Sequence, residues 1–290
     1  MRPLRLATRG SAQAATQAEL VAAALRQTGV DVELTYVETR GDALPHVPLH
    51  SIGGQGVFVK EVQLAVLDGR ADLAVHSAKD LRSTPEHGLL LAAFCERRTA
   101  ADALVGSRLI DMAAGATVAT GSVRRRRQIG RARPDLRFEE LRGNIETRLT
   151  KIPVDGAIVM AVAALEVLDL TDRIAEVLDP AEFVPAVGQG CVAVECRADD
   201  GDVAAALAGI DHATTRREVE IERAFLAELG SGCSLPVGAY VDGLKLHTFL
   251  AGDDPGIIVS ETIELTGDTG PDIEIARGAA RDAHDVVSGR

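Results

Sequence analysis

A chain of 290 residues with a formal net charge of −12 is long enough for two or three domains. Its 46% hydrophobic content suits a soluble globular protein, and no apolar stretch reaches the roughly 18 residues of a membrane span. The N-terminus lacks the apolar core of a secretory signal, the four cysteines form no C-x-x-C pair, and the seven histidines are scattered. We therefore expect a cytoplasmic protein with free thiols, no catalytic metal and no membrane association.

Strand and helix patterns alternate in the N-terminal third of the chain. A short apolar strand at LRLAT precedes an Ala-rich helix, which is expected to begin after Ser11 and end near Gly29. VDVELTYVET alternates at period two, VFVKEVQLAVLDG has helical spacing, and ADLAVHS is typical of a buried parallel strand. This alternation predicts a layered α/β domain with helices on both faces of its sheet.

A second α/β pattern covers residues 100–188. TVAT and DGAIVMA are predicted strands, SVRRRRQIGRARP a helix closed by Pro134, and NIETRLTK a helical segment. VGQGCVAVECRA is strand-like and is expected to return to the first unit, and a small α+β domain follows from Thr214. The predicted fold class is α/β, with two α/β domains and a small C-terminal α+β domain. The predicted domains are 1–96 with 190–211, 97–189, and 212–290.

An arginine-rich island interrupts this acidic chain. Residues 121–150 hold nine arginines against four acids, a local net of +5, so the rest of the chain carries −17. A solvated helix face explains most such runs. Here, however, the run directly follows the strand TVAT, and Arg142 and Arg148 flank the turn after the next strand. Because open α/β sheets bind ligands at the carboxyl ends of their strands, the arginines indicate a site for a small polyanion.

Two non-enzymatic interpretations compete with a catalytic site. Nucleic-acid binding would use the arginines, but the chain has no Trp, two Tyr and six Phe for base stacking. Its acidic remainder would also repel a long polyanion, so we predict no nucleic-acid partner. A non-catalytic clamp for a small polycarboxylate is the other alternative.

Two further segments carry candidate chemistry. In ADLAVHSAKDL, Lys79 and Asp80 follow a buried strand; Asp80 suits a helix cap, but an ionised carboxylate there could also stabilise a positive intermediate, and His76 is expected to be a core residue. In LGSGCSLPVG, Cys233 has small neighbours, so it is either a buried apolar side chain or an accessible nucleophile. The other cysteines lie in apolar runs and are expected to be structural: Cys95, Cys191 and Cys196.

Together these motifs resemble the porphobilinogen deaminase (hydroxymethylbilane synthase) family. The matching segments cover residues 4–240 and include RLATRGSAQAATQA, GGQGVFVKEVQLAVLDGRADLAVHSAKDL, TGSVRRRRQI, LRGNIETRL, VPAVGQGCVAVECR and ERAFLAELGSGCSLPVGAY. VHSAKD, LRGNxxTR, PAVGQG and the Gly-Cys loop are highly specific in combination.

The resemblance implies a monomeric transferase with three domains, the first two similar to periplasmic solute-binding proteins. It implies a covalent dipyrromethane cofactor, attached by a thioether to Cys233. Four units of porphobilinogen would add in turn, each losing ammonia, before water releases hydroxymethylbilane. Since each pyrrole carries an acetate and a propionate, the arginines would bind carboxylates.

The resemblance also assigns roles to individual residues. Asp80 matches the catalytic aspartate. Matching cofactor- and substrate-binding positions are Arg9, Ser11, Asp42, Lys79, Thr120, Ser122, Arg124, Arg125, Arg142 and Arg148. The chain departs from the family pattern at Gln55, where Lys is usual, and at Glu166 and Val167, where another arginine is usual. Arg126 and Arg127 extend the usual arginine pair, but their helical phase is expected to point them elsewhere.

Overall fold

The protein forms two compact units. The computed structural model describes residues 2–39, 56, 58–230, 236–254 and 256–290. One unit comprises Met1–Arg98 with Cys191–Arg217, and the other Thr99–Gly190 with Glu218–Arg290. The three-domain division expected from the sequence stays a prediction. No helix within the described ranges combines the length and the apolar character needed to cross a membrane.

Strands and helices alternate through most of the described chain. In chain order the strands are β1 Leu4–Arg9, β2 Val32–Val37, β3 Leu73–Ser77, β4 Leu89–Phe94, β5 Asp102–Gly106, β6 Thr117–Ala119, β7 Arg137–Glu139, β8 Ala157–Ala161, β9 Glu176–Val177, β10 Val192–Arg197, β11 Val237–Asp242, β12 Lys245–Ala251 and β13 Ile258–Glu264. The described α-helices are α1 Ala12–Gln27, α2 Lys60–Leu67, α3 Val123–Ala132, α4 Ile145–Leu149, α5 Val162–Val167, α6 Gly201–Ala208, α7 Ala213–Glu228 and α8 Thr269–Ser288. Two short 3-10 turns follow β3 and α5: Ala78–Asp80 and Thr171–Arg173.

The first unit is built on a five-stranded mixed sheet in the order β2-β1-β3-β10-β4. Strand β1 runs parallel to β2 and β3, and β10 runs antiparallel to β3 and β4. The carboxyl ends of β1, β2 and β3 therefore meet at the same edge. The prediction that the VGQGCVAVECRA strand returns to this unit is confirmed, because β10 lies between β3 and β4.

Helix α1 covers one face of this sheet. The Ser11 side chain accepts a hydrogen bond from the backbone N–H of Ala14 at 3.3 Å, as a helix N-cap does. Ala18, Val21 and Leu25 recur at helical spacing and are buried against the apolar side chains of β1 and β3. Full burial of a side chain such as Leu25 contributes about 1.5–3 kcal/mol. The helix predicted from its cap and its Ala-rich pattern is confirmed.

Helix α2 covers the opposite face of the same sheet. Its Val62, Ala65 and Val66 pack in a second cluster with Ala7 and Ala74, whose side chains leave β1 and β3 on the other side. Helices on both faces confirm the layered α/β arrangement expected from the alternating pattern.

The second unit contains two sheets. One has five strands in the order β7-β6-β8-β5-β9, with β6 parallel to β7 and β8 and with β5 antiparallel to β8 and β9. The other is the antiparallel meander β11-β12-β13. Helix α8 packs on this meander through Ala276 and Ala280, which share a core with Phe225 of α7 and Leu246 of β12. The predicted C-terminal α+β element is confirmed.

A buried carboxylate ties the N-terminus to the sheet of the first unit, just before the amino end of β3. The Asp72 side chain is 1% exposed and accepts hydrogen bonds from the Arg2 guanidinium at 2.7 and 2.8 Å and from Arg5 at 2.9 to 3.2 Å. Burial by itself raises the pKa of this carboxyl. The hydrogen bonds from Arg2 and Arg5 together have the larger, opposite effect and hold the pKa well below its usual 3.8. The ionised form is therefore the stable one in the folded protein.

Asp72→Asn should lower the free energy of unfolding by about 1–3 kcal/mol at pH 7. The asparagine amide has nearly the shape of the carboxylate, but it lacks the charge that accepts the hydrogen bonds of Arg2 and Arg5. The pKa of Asp72 is depressed on folding, so its contribution is full above the unfolded value of about 4 and is lost as the pH falls further. The deficit of the variant, measured by urea unfolding, should therefore be smaller at about pH 3 than at pH 7. Exposed Asp68→Asn is the matched control, and an equal deficit at both pH values would contradict this account.

Candidate active site

Four of the predicted site residues lie at one edge of the first unit's sheet. Arg9 ends β1, Ser11 caps α1, and Lys79 and Asp80 belong to the 3-10 turn that follows β3. Strands β1 and β3 are parallel neighbours, so these residues share the carboxyl edge, and all four are partly exposed. Open α/β sheets bind ligands at such an edge, and here it carries two cationic side chains and one carboxylate.

The turn that carries Asp80 is anchored on both sides. Ala78 and Leu81 are buried at 2% and 3%, the N–H of Ala78 donates to the carbonyl of Cys191 at 2.9 Å, and the Ser77 hydroxyl donates to Gln17 at 3.1 Å. Among the residues that the structure describes, none donates a hydrogen bond to the Asp80 carboxylate. The carboxylate is thus held on a fixed turn with its oxygens available to a ligand.

Asp80 does not cap a helix. It is the last residue of the 3-10 turn, whose N-cap is Ser77, and the backbone becomes extended at Leu81. The cap interpretation, which residue spacing favours, therefore does not describe this position. Local spacing could not decide the matter because a single 3-10 turn and the start of an α-helix share the same short pattern.

Contacts within the first unit fix the positions of two further side chains, Arg9 at this edge and His76 in β3. The Arg9 guanidinium carbon lies 4.1 Å from the centre of the Phe58 ring, a cation–π distance that holds the arginine against the segment preceding α2. His76 is 5% exposed on β3, and its Nε2 lies 3.0 Å from a carboxylate oxygen of Glu195, to which Gln63 also donates. The prediction that His76 belongs to the core is confirmed.

The second unit gathers four more predicted site residues at one edge of its five-stranded sheet. Thr120 and Ser122 follow β6, while Arg142 and Arg148 lie in the loop after β7 and in α4. Strands β6 and β7 are parallel, and the N–H of Thr120 donates to the carbonyl of Glu139 at 2.9 Å, so both turns lie side by side. The two arginine-bearing turns of the sequence predict this arrangement at one sheet edge.

Close backbone packing shapes this edge. A Cβ added to Gly121 would come within 2.8 Å of the carbonyl oxygen of Leu141, so glycine is required where the two turns approach. Gly143 has a φ of +118°, and its carbonyl accepts from the Nε of Arg148 at 2.8 Å. Arg142 accepts through its carbonyl from the Lys151 ammonium at 3.1 Å.

The arginine run splits by helical phase. Arg124 and Arg125 are only 6% and 9% exposed and point into the second unit, where both bind the carboxylate of Asp102. Arg126 is exposed, 3.7 Å from Glu140. The expectation that the last two arginines of the run point elsewhere is thus confirmed. The assignment of the first two to cofactor and substrate stays a prediction, now for an interior pair.

Arg127 binds the C-terminal meander. Its Nη2 donates to the carbonyl of Gly252 at 3.1 Å and to that of Asp254 at 2.8 Å, both in the segment between β12 and β13. This arginine therefore connects α3 to the loop of the three-stranded sheet in the same unit.

Sequence reasoning missed Asp102, the carboxylate partner of the buried pair. Burial by itself raises the pKa of Asp102, but the charges of Arg124 and Arg125 outweigh it and hold the pKa well below its usual value. The available signal was an acid at the start of the otherwise apolar strand ADALVG, since unpaired charges are rarely buried there.

The four cysteines differ in their fitness for covalent chemistry. Cys191 and Cys196 are buried, and burial raises the pKa of the Cys95 and Cys196 thiols to about 11, which keeps them protonated at neutral pH. None of the three described cysteines forms a disulfide. Cys233 lies outside the described residues, as do two other residues that the sequence analysis singles out, Asp42 and Gln55.

Two remaining expectations concern metals and the missing arginine. Among the described residues no group of three or more His, Cys, Asp or Glu side chains is placed to hold a metal ion. Val167 is buried, and Glu166 accepts a hydrogen bond from the Thr99 hydroxyl at 2.5 Å. No cation therefore occupies the position at which an arginine is usual.

Comparison with known proteins agrees with the motifs. Residues 4–205 match the family model described as "Porphobilinogen deaminase, dipyromethane cofactor binding domain", and residues 216–280 match the C-terminal domain of the same family. The porphobilinogen deaminase of Nitratidesulfovibrio vulgaris is 43% identical over 274 residues, covering 92% of this chain and 84% of that one. That of Acidothermus cellulolyticus is 42% identical over 292 residues, covering 96% and 88%.

The solved structures that match this chain include periplasmic binding proteins at low similarity. The methionine-binding protein MetQ has a TM-score of 0.44 at 12% identity, covering 74% of this chain and 89% of that one. A periplasmic substrate-binding protein of an ABC transporter from Coxiella burnetii has a TM-score of 0.42 at 13% identity, covering 73% and 94%. Both family models and both relatives agree on one assignment: the chain belongs to the porphobilinogen deaminase family.

Proposed function

We propose that the protein is a transferase that joins four porphobilinogen units on a covalent dipyrromethane primer and releases hydroxymethylbilane by hydrolysis. The family match supports the reaction class. The observation that carries the proposal is Asp80, a carboxylate with accessible oxygens on an anchored turn, at the sheet edge that also bears Arg9 and Lys79.

The arginine-rich donor set fits a cofactor that carries acetate and propionate groups. Arg142 and Arg148 lie partly exposed at one sheet edge, and Arg9 and Lys79 at the corresponding edge of the other sheet. Arginine binds carboxylates in a bidentate manner and stays charged at any working pH. When bound, dipyrromethane supplies the ring to which the first pyrrole unit is joined. The residues proposed to hold cofactor and substrate are Arg9, Ser11, Asp42, Lys79, Thr120, Ser122, Arg124, Arg125, Arg142 and Arg148.

Asp80 is proposed to stabilise the cation that forms when porphobilinogen loses its amine. The carbon–nitrogen bond of the protonated aminomethyl group breaks, ammonia leaves with the bonding electron pair, and the substrate becomes a cation delocalised over its pyrrole. A fixed carboxylate lowers the energy of this developing charge. A bound acceptor ring would supply the α-carbon that replaces ammonia on the methylene carbon, and the proton lost from that α-carbon would balance the substitution. The same carboxylate can accept a hydrogen bond from a pyrrole N–H and so orient the ring.

Cys233 is proposed as the attachment residue. A thioether requires an accessible sulfur that can become a thiolate, and small neighbours such as Gly232 and Ser234 provide access. The burial and raised pKa of Cys95 and Cys196 support this choice, because those thiols stay protonated and enclosed. We further propose a monomer that acts in the cytoplasm, where free thiols persist.

The mass of the intact protein tests the proposal directly. Purified wild-type protein should be heavier than its polypeptide by one dipyrromethane group, and brief exposure to porphobilinogen should add discrete increments of one pyrrole unit. A non-catalytic clamp would bind porphobilinogen reversibly and show no covalent increment. A mass equal to that of the bare polypeptide, in protein produced with porphobilinogen supplied, would refute the proposed function.

A further inference from the structure

One buried carboxylate holds both guanidinium groups of the Arg124–Arg125 pair. Asp102, 1% exposed, places Oδ2 at 2.8 Å from Nη2 of Arg124 and Oδ1 at 2.7 Å from Nη2 and 3.0 Å from Nε of Arg125. Each arginine also donates to a backbone carbonyl, Arg124 to Val184 at 2.6 Å and Arg125 to Val159 at 3.0 Å. The orientation of both groups is therefore set by the fold of the second unit.

Gln189 fixes the carboxylate in turn. Its Nε2 donates to Oδ1 of Asp102 at 2.8 Å and to the carbonyl of Ala100 at 2.7 Å, and its side chain is buried. Two acceptors on one nitrogen leave a single orientation of the amide. Gln189 belongs to the PAVGQG segment, to which the proposed chemistry assigns no other role.

The charges of this cluster do not balance. Two guanidinium groups face one carboxylate, and the other described partners of the arginines are neutral carbonyls, so the described cluster carries a net charge of +1. A buried charge without a counterion is costly, and burial is the largest effect on the pKa of Arg124, which it lowers. One further anion would relieve this cost. If the chain supplied a second carboxylate here, the arginine pair would be neutralised and would no longer attract the carboxylate of a ligand.

We propose that Asp102 and Gln189 are positioning residues that leave the arginine pair with one unit of positive charge, reserved for one carboxylate of the cofactor or the substrate. Asp102 neutralises the first charge and sets the geometry, and Gln189 keeps Asp102 in place. This inference rests on the proposed role of Arg124 and Arg125 in binding carboxylates. It adds the residues that determine how many carboxylates the pair can take.

Two substitutions at position 189 separate charge from packing. Gln189→Glu places a second carboxylate beside Asp102 and brings the cluster to zero net charge, while Gln189→Met removes the amide donor without adding charge. We expect Gln189→Met to raise KM for porphobilinogen about threefold with kcat nearly unchanged, since it loosens binding in the ground and transition states alike. Gln189→Glu should raise KM at least about tenfold beyond that, or lower cofactor occupancy by a similar factor, because it removes the attraction for the anion.

The two readouts identify the source of the carboxylate. Loss of the cofactor mass in Gln189→Glu assigns the reserved charge to dipyrromethane, whereas a raised KM at full occupancy assigns it to the substrate. Arg126→Gln is the matched control. It changes the net charge of the protein by the same single unit as Gln189→Glu, at an exposed position of α3, the helix that carries Arg124 and Arg125. It should leave KM, kcat and occupancy within about twofold of the wild type.

Thermal unfolding of every variant distinguishes a purely structural role. The proposal is overturned if both position-189 variants have lowered Tm values while their KM and cofactor occupancy equal those of Arg126→Gln. Equal KM values together with equal cofactor occupancy for Gln189→Glu and Gln189→Met would overturn it too. Should Gln189→Glu fail to fold, Gln189→Met decides, since a KM equal to that of the control contradicts positioning. Wild-type protein without cofactor mass or turnover would refute the proposed function instead, independently of these variants.

Discussion

Asp80→Asn should lower kcat at least about 100-fold while the protein keeps its fold and its covalent cofactor. The amide has the shape of the carboxylate but no charge, and a unit charge about 4 Å from a developing cation is worth roughly 4 kcal/mol at an effective dielectric of 20. The fold should persist because Asp80 is partly exposed and no described residue donates a hydrogen bond to its side chain. Steady-state turnover of porphobilinogen and intact mass measure the two halves of this prediction.

The control for this variant is Asp68→Asn, which removes an exposed carboxylate at the end of α2. It should turn over porphobilinogen as the wild type does. Near-normal kcat in Asp80→Asn would remove this carboxylate from the mechanism. Loss of the cofactor in Asp80→Asn would show instead that Asp80 acts during assembly of the holoenzyme.

Cys233→Ser should yield a protein without covalent dipyrromethane and without turnover. A serine hydroxyl ionises far less readily than a thiol, so the nucleophile needed for attachment is absent. Intact mass should match the bare polypeptide, and the colour reaction of bound pyrroles with Ehrlich's reagent should disappear.

Cys95→Ser is the matched control for this second prediction. Burial raises the pKa of the Cys95 thiol to about 11, so it contributes no thiolate near neutral pH. The control should retain the cofactor mass and the colour reaction. Covalent pyrrole in Cys233→Ser, or its loss in Cys95→Ser at unchanged Tm, would place the attachment elsewhere.

Local patterns predicted the elements of the fold well. The cap at Ser11 and the apolar spacing of Val21 and Leu25 correctly predicted α1, and the arginine run was correctly assigned to a helix that ends before Pro134. These signals are reliable because capping, helical periodicity and the missing N–H of proline act within a few residues. The strand character of β10 and its return to the first unit were also predicted.

Long-range contacts decide which of the arginines are buried. Helical phase separates Arg124 and Arg125 from the exposed Arg126, but nothing in GSVRRRRQIGRAR shows that the first two are buried, because an arginine is buried where the fold supplies a carboxylate. Asp102 supplies it from β5, and Gln189 arrives from a loop almost ninety positions later. The local pattern therefore predicted arginines that bind a small polyanion, but not that Arg124 and Arg125 are buried on a carboxylate of the chain.

The sequence alone determined the family, the α/β layering and the chemical character of the site, since these depend on motifs, periodicity and residue type. Tertiary structure alone decided which charges are buried. It leaves the Asp80 carboxylate accessible, whereas the Asp102 carboxylate is already bound by Arg124 and Arg125. The physical reason is that the energy of a charge depends on its surroundings, and those surroundings are assembled from distant segments only when the chain folds.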